Sequence, residues 1–464
     1  MVWRRTSRAV LALDRGTVWE VLADLRRWPE WNPGLQRVTV EGGGPVAPGR
    51  TGHLVPAGPL VGAVHARTAP PFGVVEVDPG TSLVLEQPQP GGALRVAWRL
   101  SDADDEPGGT LLQQRVEVRG PLTPAATAAL AEPLARDFPL SAARLHRLAS
   151  GGTPRPDALR VVVAGGSGTL GRPLASDLQC RGHDVVVLTR RLDPHLPFRQ
   201  REWDGRTVGA WATELEHEGP TAVVNLAGRL VDCRPTPDNI AALRTSRVEP
   251  TRALVAASQR RERPLEHWLQ ASTTAIWSDA GETRCDERTP VPAGLPQMTG
   301  VALPWEQALE GAHTRHAVVL RTSLVLDRDA PVLDRLLGLT RAGLGGPIAG
   351  GQQWVSWIHV EDWLRVARAA LGLVPGLEVP PGVVVAASDH PVRNHELMAT
   401  LRRQVGRPWA PPTPAPLLRL GGVLLRTDPA LGLTGRHATS RVLREAGFTY
   451  RHPHLPEALA DLLG

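Results

Sequence analysis

The sequence predicts a doubly wound parallel α/β sheet with a small C-terminal region, preceded by a separate α+β domain. Three observations predict it. From residue 159 onward, apolar strand-like runs alternate with crossovers of helical length. A glycine-dense turn lies between the first of these strands and a helix-compatible run. Before them, a Gly/Pro segment, Ser150-Gly-Gly-Thr-Pro-Arg-Pro-Asp157, closes off a part made of short strands and helices. At 464 residues the chain exceeds one ordinary domain. The expected units are 1–150, 158–387 and 388–464.

Within the first unit, residues 6–13 alternate as a strand. Asp14 can cap a helix whose face carries Val18, Trp19, Val21, Leu22, Leu25 and Trp28, and Pro29 should end it. Strands are expected at Leu35–Glu41, Thr51–Pro56, Ala63–Ala69, Gly73–Asp78, Ser82–Gln87, Leu94–Leu100 and Thr110–Val118. A last helical region, Thr123–Leu148, sets Leu130, Leu134, Leu145 and Leu148 in one stripe, with kinks at Pro133 and Pro139.

The second unit opens on Leu159-Arg-Val-Val-Val-Ala-Gly-Gly-Ser-Gly-Thr-Leu-Gly171. Gly166, Gly168 and Gly171 satisfy G-x-G-x-x-G, and Gly165, Gly168 and Gly171 the spacing with one more residue. In such a turn the first glycine bends the chain, the middle one lets backbone approach a pyrophosphate, and the last packs helix on strand. The amides of Ser167, Thr169 and Leu170 and the helix dipole then face the phosphates. This Rossmann-type pattern predicts a dinucleotide site that also includes Leu226, Ala227 and Gly228 after a later strand. Where an NAD site usually has an acidic residue, beyond strand Asp184–Thr189, this chain has Arg190 and Arg191. A guanidinium suits a phosphate, so NADP(H) is expected, with NAD less favoured. Further strands are expected at Thr221–Gly228, His267–Ser272, Ala317–Thr322 and Gly382–Ala387.

Composition narrows the partners. The formal charge is +5 with an isoelectric point near 10.1, but all 52 basic residues are arginine. Lysine is absent, as in proteins of GC-rich genomes. No basic run or RNA-binding motif points to nucleic acid. Cys180, Cys233 and Cys285 are far apart and form no metal or redox pattern, which suits a reducing cytoplasm. No apolar run approaches 18 residues, so membrane insertion is not expected. The expected partner is a small-molecule substrate; oligomeric state is not readable.

Two resemblances follow from particular residues. The order strand, helix, many strands, long helix, with Arg27-Trp-Pro-Glu-Trp-Asn-Pro33 after the first helix, resembles the START-like superfamily of polyketide cyclases and lipid-transfer proteins over residues 2–149. It implies a helix-grip sheet wrapped around the C-terminal helix, with an apolar cavity for a ligand. Residues 159–464 resemble the extended short-chain dehydrogenase/reductase superfamily, within it an atypical family labelled nucleoside-diphosphate sugar epimerase or cell-division inhibitor-like. Val223-Val-Asn-Leu-Ala-Gly228, Leu243-Arg-Thr-Ser-Arg247 with Thr251, Trp305-Glu306, Gly350-Gly-Gln-Gln-Trp-Val-Ser-Trp-Ile-His-Val-Glu-Asp362, Pro391-Val-Arg-Asn394, Arg407-Pro408 and Ala446-Gly-Phe448 carry that likeness.

The superfamily normally uses a Tyr-x-x-x-Lys pair, whose spacing puts both side chains on one helix face. This chain has Met298 and Ala302 there, and its one tyrosine is Tyr450. Ser272, at a strand end where the superfamily has a catalytic Ser or Thr, is either a carbonyl-polarising hydroxyl or one satisfied by backbone. His359 is a candidate proton donor or a structural hydrogen-bonder. Trp277 stands at an expected tyrosine. Asp362 is expected to cap a helix, and Arg321 to be paired or solvated. Gln353, Trp354, Ser356 and Trp357 are the candidate substrate residues, the two tryptophans either flooring the site or packing. No His/Cys/Asp cluster has metal spacing. Two functions remain open: an NADP(H)-dependent oxidoreductase on a small or apolar carbonyl or alcohol compound captured by the N-terminal cavity, or a silent nucleotide-bound sensor or scaffold.

Overall fold

The computed structural model describes residues 2–57, 70–121, 131–424 and 427–463. The expected strand Ala63–Ala69 and the start of the expected helix at 123–130 lie outside them. The N-terminal unit is a seven-stranded antiparallel sheet of β1 (Val2–Leu11), β2 (Leu35–Val40), β3 (Thr51–Pro56), β4 (Phe72–Asp78), β5 (Ser82–Gln89), β6 (Gly92–Asp102) and β7 (Thr110–Arg119), in the order β1-β7-β6-β5-β4-β3-β2. First and last strands pair, Val2 opposite Arg119 and Leu11 opposite Thr110, so the chain returns to its start.

Helix α1 (Arg15–Ala23) begins as expected: the Asp14 carboxylate accepts the Thr17 N–H at 3.0 Å. It ends six residues before Pro29, because Asp24 caps a separate 3-10 turn, Leu25–Arg27. Pro29 opens the next short helix, Trp28–Trp31, where its missing N–H costs nothing. The long last helix is likewise two, Glu132–Arg136 and α2 (Phe138–Ala149), with Pro133 and Pro139 near their N-termini. Trp28 and Trp31 are core residues. Trp28 lies edge-on to Trp98 at 4.6 Å, and its indole N–H donates to the Leu22 carbonyl at 2.8 Å.

The second unit is a seven-stranded parallel sheet: β8 (Arg160–Ala164), β9 (Asp184–Thr189), β10 (Arg199–Glu202), β11 (Thr221–Asn225), β12 (Leu265–Thr273), β13 (Thr314–Thr322) and β14 (Gly382–Ala386), in the order β10-β9-β8-β11-β12-β13-β14. The order reverses direction between β8 and β11, which opens a crevice at the carboxyl ends of those strands. Sequence reading missed β10, Arg-Gln-Arg-Glu, since an exposed edge strand has no apolar face to betray it. The strand expected at Thr221–Gly228 stops at Asn225, which frees Leu226–Gly228 to bend over the glycine turn.

The Gly/Pro segment does not separate two cores. Helix α2 packs on α3 (Gly171–Cys180), the Ala12 N–H donates to the Cys180 carbonyl at 2.8 Å, and one apolar cluster runs from Trp98 and Ala142 to Leu174 and Val187. Ion pairs seal the junction. Arg181 reaches Asp105 at 2.8 Å and Glu106 at 3.1 Å across it, and Arg368, itself held by Asp177 of the second unit, reaches Asp105 at 3.4 Å. Residues beyond β14 fold back on the second unit: His437–Ala438 pairs with Arg284–Cys285, and Val392–Arg393 with Trp354–Val355.

Candidate functional site: the glycine turn and the crevice beside it

The glycines divide by what their missing Cβ would meet. Gly165 has φ +81°, and a Cβ there would lie 2.8 Å from the Leu226 carbonyl carbon. At Gly166 it would strike Val187 at 2.8 Å, and at Gly171 the Gly165 oxygen at 2.2 Å. These three are demanded by the protein's own packing. A Cβ on Gly168 would meet only the Gly165 oxygen, at 3.2 Å, and this residue is exposed. Its bareness is not required by any tight neighbour, so it is the glycine left for something outside the chain. Thr169 is exposed too, and Ser167 and Leu170 half-buried. Helix α3 starts at Gly171, so the turn carries the positive end of its dipole. Leu226–Gly228 is held by the Leu226 N–H to the Ala164 carbonyl (2.9 Å) and the Ala227 N–H to the Asn225 side chain (3.2 Å). Asn225 is buried and in turn donates to Thr251 and Gln270.

Arg190 and Arg191 leave the end of β9 exposed. Among the described residues, neither guanidinium has a carboxylate partner. The Thr189 hydroxyl bonds the Arg191 carbonyl at 2.8 Å and shapes this strand exit.

Ser272 is near the end of β12, where its hydroxyl donates to Glu306 on helix α4 (Thr299–Gln307). That carboxylate is also clamped by Arg321, at 2.9 and 2.8 Å, and Arg321 stacks over Trp277 at 5.1 Å. The partner of Ser272 is thus a carboxylate rather than backbone, and Arg321 is a paired arginine. Met298 and Ala302 are buried.

His359 belongs to a separate cluster. It is the N-cap of helix α5 (Val360–Ala370): its Nδ1 accepts the Glu361 N–H at 3.1 Å. This corrects the expectation for Asp362, whose carboxylate instead accepts the Arg451 and His452 N–H groups at 2.7 and 3.0 Å. The cap position, three residues earlier, is already taken by His359. Burial, with His452 beside it, pushes His359 down to about 4. Burial would lift Glu361, but the His452 hydrogen bond and neighbouring cations hold it well below the carboxylate range. His359, Glu361 and His452 come within 4.8 Å of one another, close enough for a metal. Yet with Nδ1 accepting, neutral His359 carries its proton on Nε2, which faces Asp461 at 3.6 Å and offers no lone pair. The cluster also meets Arg8 of β1, at the junction of the two units.

The candidate substrate residues do different things. Gln353 donates to the Ile348 and Gly432 carbonyls, at 3.2 and 2.7 Å. Ser356 bonds the Arg436 carbonyl and the Ala438 N–H, both at 2.7 Å. Trp357 is fully buried and packs, its N–H on the His390 carbonyl. Trp354 is half-buried, stacked by Arg393 at 3.8 Å and bonded to Glu282. Ser278, at φ +54°, and Ala349, at φ +49°, are the non-glycine residues of positive φ among those described. Ser278 touches this region through Arg436, and Ala349 leads into Gln353. Such strain collects at functional sites.

Comparison with known proteins places this geometry. Residues 4–150 match the polyketide cyclase / dehydrase and lipid transport family, residues 161–381 the NAD dependent epimerase/dehydratase family, and residues 413–462 a domain of unknown function. Epimerase family protein SDR39U1 of Bos taurus is 30% identical over 311 residues, 66% of this chain and 100% of its own length. The chain belongs to this epimerase family. The crystal structure of the human family member SDR39U1 with NADPH is 28% identical, with a TM-score of 0.57, over 66% of this chain and 99% of that one. A nucleoside-diphosphate sugar epimerase from Corynebacterium glutamicum, 21% identical, has a TM-score of 0.59 over 99% of this chain and 90% of that one. That last likeness is of fold alone, and it extends through the N-terminal unit.

In this member of the epimerase family, two arginines beside the crevice escaped sequence reading. Arg247 stacks over Trp305 at 5.1 Å and donates to the Leu243 and Arg229 carbonyls, with burial pushing it down to about 10. A Cβ on Gly228 would lie 3.2 Å from it. Arg436 donates to the Ser278 carbonyl at 2.9 Å. Among 52 arginines, no sequence signal separates an enclosed one without a carboxylate from a solvated one. Among the described residues, no helix is long and apolar enough to cross a membrane.

Proposed function

We propose that this epimerase-family protein binds NADP(H) at the glycine turn and transfers hydride to or from a small carbonyl or alcohol compound. The carrying observation is the pairing of an open Gly168 with Arg190 and Arg191, exposed at the strand end without carboxylates. The NADPH bound by the human relative supports the same reading. The residues fit the group: Gly168 leaves room for a diphosphate, the helix α3 terminus complements its charge, and the two arginines suit a 2′-phosphate. Bound NADPH would supply the hydride. The chain's share is to bind and orient. Leu226–Gly228 walls the crevice, and Ser272 holds Glu306 in place through a short donor bond. Reduction of a carbonyl also consumes one proton at oxygen, which water supplies where neither Met298 nor Ala302 titrates.

We read units 1–150, 158–387 and 388–464 as ligand-holding, cofactor-binding and capping parts, in keeping with the three family matches. The described residues Trp28, Leu54, Phe72, Leu85 and Trp98 of the first unit line a partly open pocket of about 50 Å³. That supports a small apolar group more than a lipid chain. A silent nucleotide-bound sensor is the second reading, favoured by the burial of Met298 and by the engagement of Ser272 with Glu306. Calorimetry with NADPH and NADH, followed by an absorbance screen of aldehydes, ketones and quinones, separates them. Tight NADPH binding without any turnover would favour the sensor, and no NADPH binding would sink both.

A further inference from the structure

Arg436 is the feature of the crevice region that its surroundings leave incomplete. Three other enclosed arginines of the second unit, Arg181, Arg321 and Arg368, each hold carboxylates at 2.7–3.4 Å, while Arg247, which like Arg436 holds none, is covered by the Trp305 ring and bonded to two backbone carbonyls. Arg436 has none within 4 Å among the described residues. Its Nη1 donates to the Ser278 carbonyl at 2.9 Å and faces the Met298 sulfur at 3.5 Å, and its Nη2 donates to the Thr434 hydroxyl at 3.3 Å. Nε–H and the second Nη2–H have no acceptor among the described residues. The neighbouring acid Asp279 is committed elsewhere, accepting the Gly435 N–H at 3.0 Å.

The placement is built rather than incidental. Arg436's own N–H donates to the Trp354 carbonyl at 3.0 Å. A Cβ on Gly435 would strike the Trp354 nitrogen at 2.5 Å, so only glycine lets the two segments cross here. Ser278, whose carbonyl anchors the guanidinium, is held at φ +54° by bonds of its hydroxyl to Thr299 and to the Leu295 N–H. Ser278 follows the end of β12 by five residues, on the side of the sheet where doubly wound folds take their ligands. A planar fork with two free N–H groups, half-buried and short of an anion, is matched by an oxyanion.

We infer that Arg436 is the receptor for an oxyanion, a carboxylate or phosphate ester, on the carbonyl or alcohol compound that this crevice takes. The inference rests on the oxidoreductase reading above for the compound's reacting group, not for its charge. The C-terminal region thereby supplies the charge that selects the substrate.

The test uses the full chain loaded with NADPH and matched probes: pyruvate against acetone for the carboxylate, and dihydroxyacetone phosphate against dihydroxyacetone for the phosphate. Binding is read by ligand-observed NMR and turnover by NADPH absorbance. At least one oxyanion probe should bind tenfold or more tightly than its neutral twin. Arg436→Met should abolish that preference with NADPH affinity unchanged, and Arg436→Lys should restore part of it. Binding of an oxyanion probe without NADPH oxidation would keep the receptor and refute the oxidoreductase reading. Equal binding of charged and neutral twins by the parent overturns the receptor, whether or not the variants fold. So does a folded Arg436→Met variant that keeps the preference.

Discussion

Replacing single glycines of the turn by alanine should separate what the fold needs from what a ligand needs. At Gly171 the new Cβ would sit 2.2 Å from the Gly165 oxygen and 2.6 Å from the Gly166 Cα. Both are backbone atoms, so strand or helix must move, and overpacking of this kind costs about 1–3 kcal/mol. At Gly168 the one contact is 3.2 Å, and its φ is not in the left-handed region. The strain there is offset by the roughly 0.4–1 kcal/mol gained from a less flexible unfolded chain. Gly168→Ala should therefore melt like the parent. Its effect should appear with cofactor: NADPH at 100 times the parent's Kd stabilises the parent by about 2.7 kcal/mol. A hundredfold weaker site keeps about 0.4 kcal/mol of that. Thermal and urea unfolding with and without NADPH measure both quantities. If Gly168→Ala gained the full cofactor stabilisation, the diphosphate would not lie on this turn. If Gly171→Ala were as stable as the parent, the division of the glycines would be wrong.

Replacing Arg190 and Arg191 together by alanine should weaken NADPH by roughly ten- to a hundredfold and NADH much less, since a charge-assisted contact contributes about 1.5–3 kcal/mol; titration calorimetry with both nucleotides decides. His146 and His183 are buried and pushed down to about 4 from 6.5, chiefly by burial. The folded state thus binds fewer protons than the unfolded one between those values, so stability is full above pH 6.5 and falls toward pH 4, by about 2 kcal/mol per histidine at pH 5. His146→Leu should flatten that slope in urea titrations, and an unchanged slope would count against it. Arg368→Met leaves the buried Asp177 of the second unit short of its main partner and should cost about 3–5 kcal/mol, lowering the melting temperature. Tyr450 donates to the Ala387 carbonyl at 2.6 Å, and burial raises its pKa, so Tyr450→Phe should lose about 1–2 kcal/mol of stability and leave any turnover nearly unchanged.

Local sequence carried much of this protein. The Val-rich runs of β8, β9 and β14 read as buried strands, and the glycines between the first of them and a helix mark the turn. Asp14 announced its helix, because a cap depends on neighbours three residues away. The lack of a Tyr-x-x-x-Lys pair is also a property of the sequence alone. Tertiary structure decided what depends on distant partners. Glu306 claims the hydroxyl of Ser272 from 34 residues away, and Asp461 lies 3.6 Å from His359 across a hundred residues of chain. Ser150–Asp157 reads as a linker between cores, but Arg181 and Arg368 reach Asp105 across it and a shared apolar cluster joins the units, and ion pairs leave no periodicity to read. The same holds for the glycines. Four of them look alike in the turn, and only the neighbours brought by folding show that Gly165, Gly166 and Gly171 serve the chain while Gly168 stays open. Contacts of a few ångströms between segments far apart in sequence are set by the packing of the whole sheet, so no local pattern encodes them.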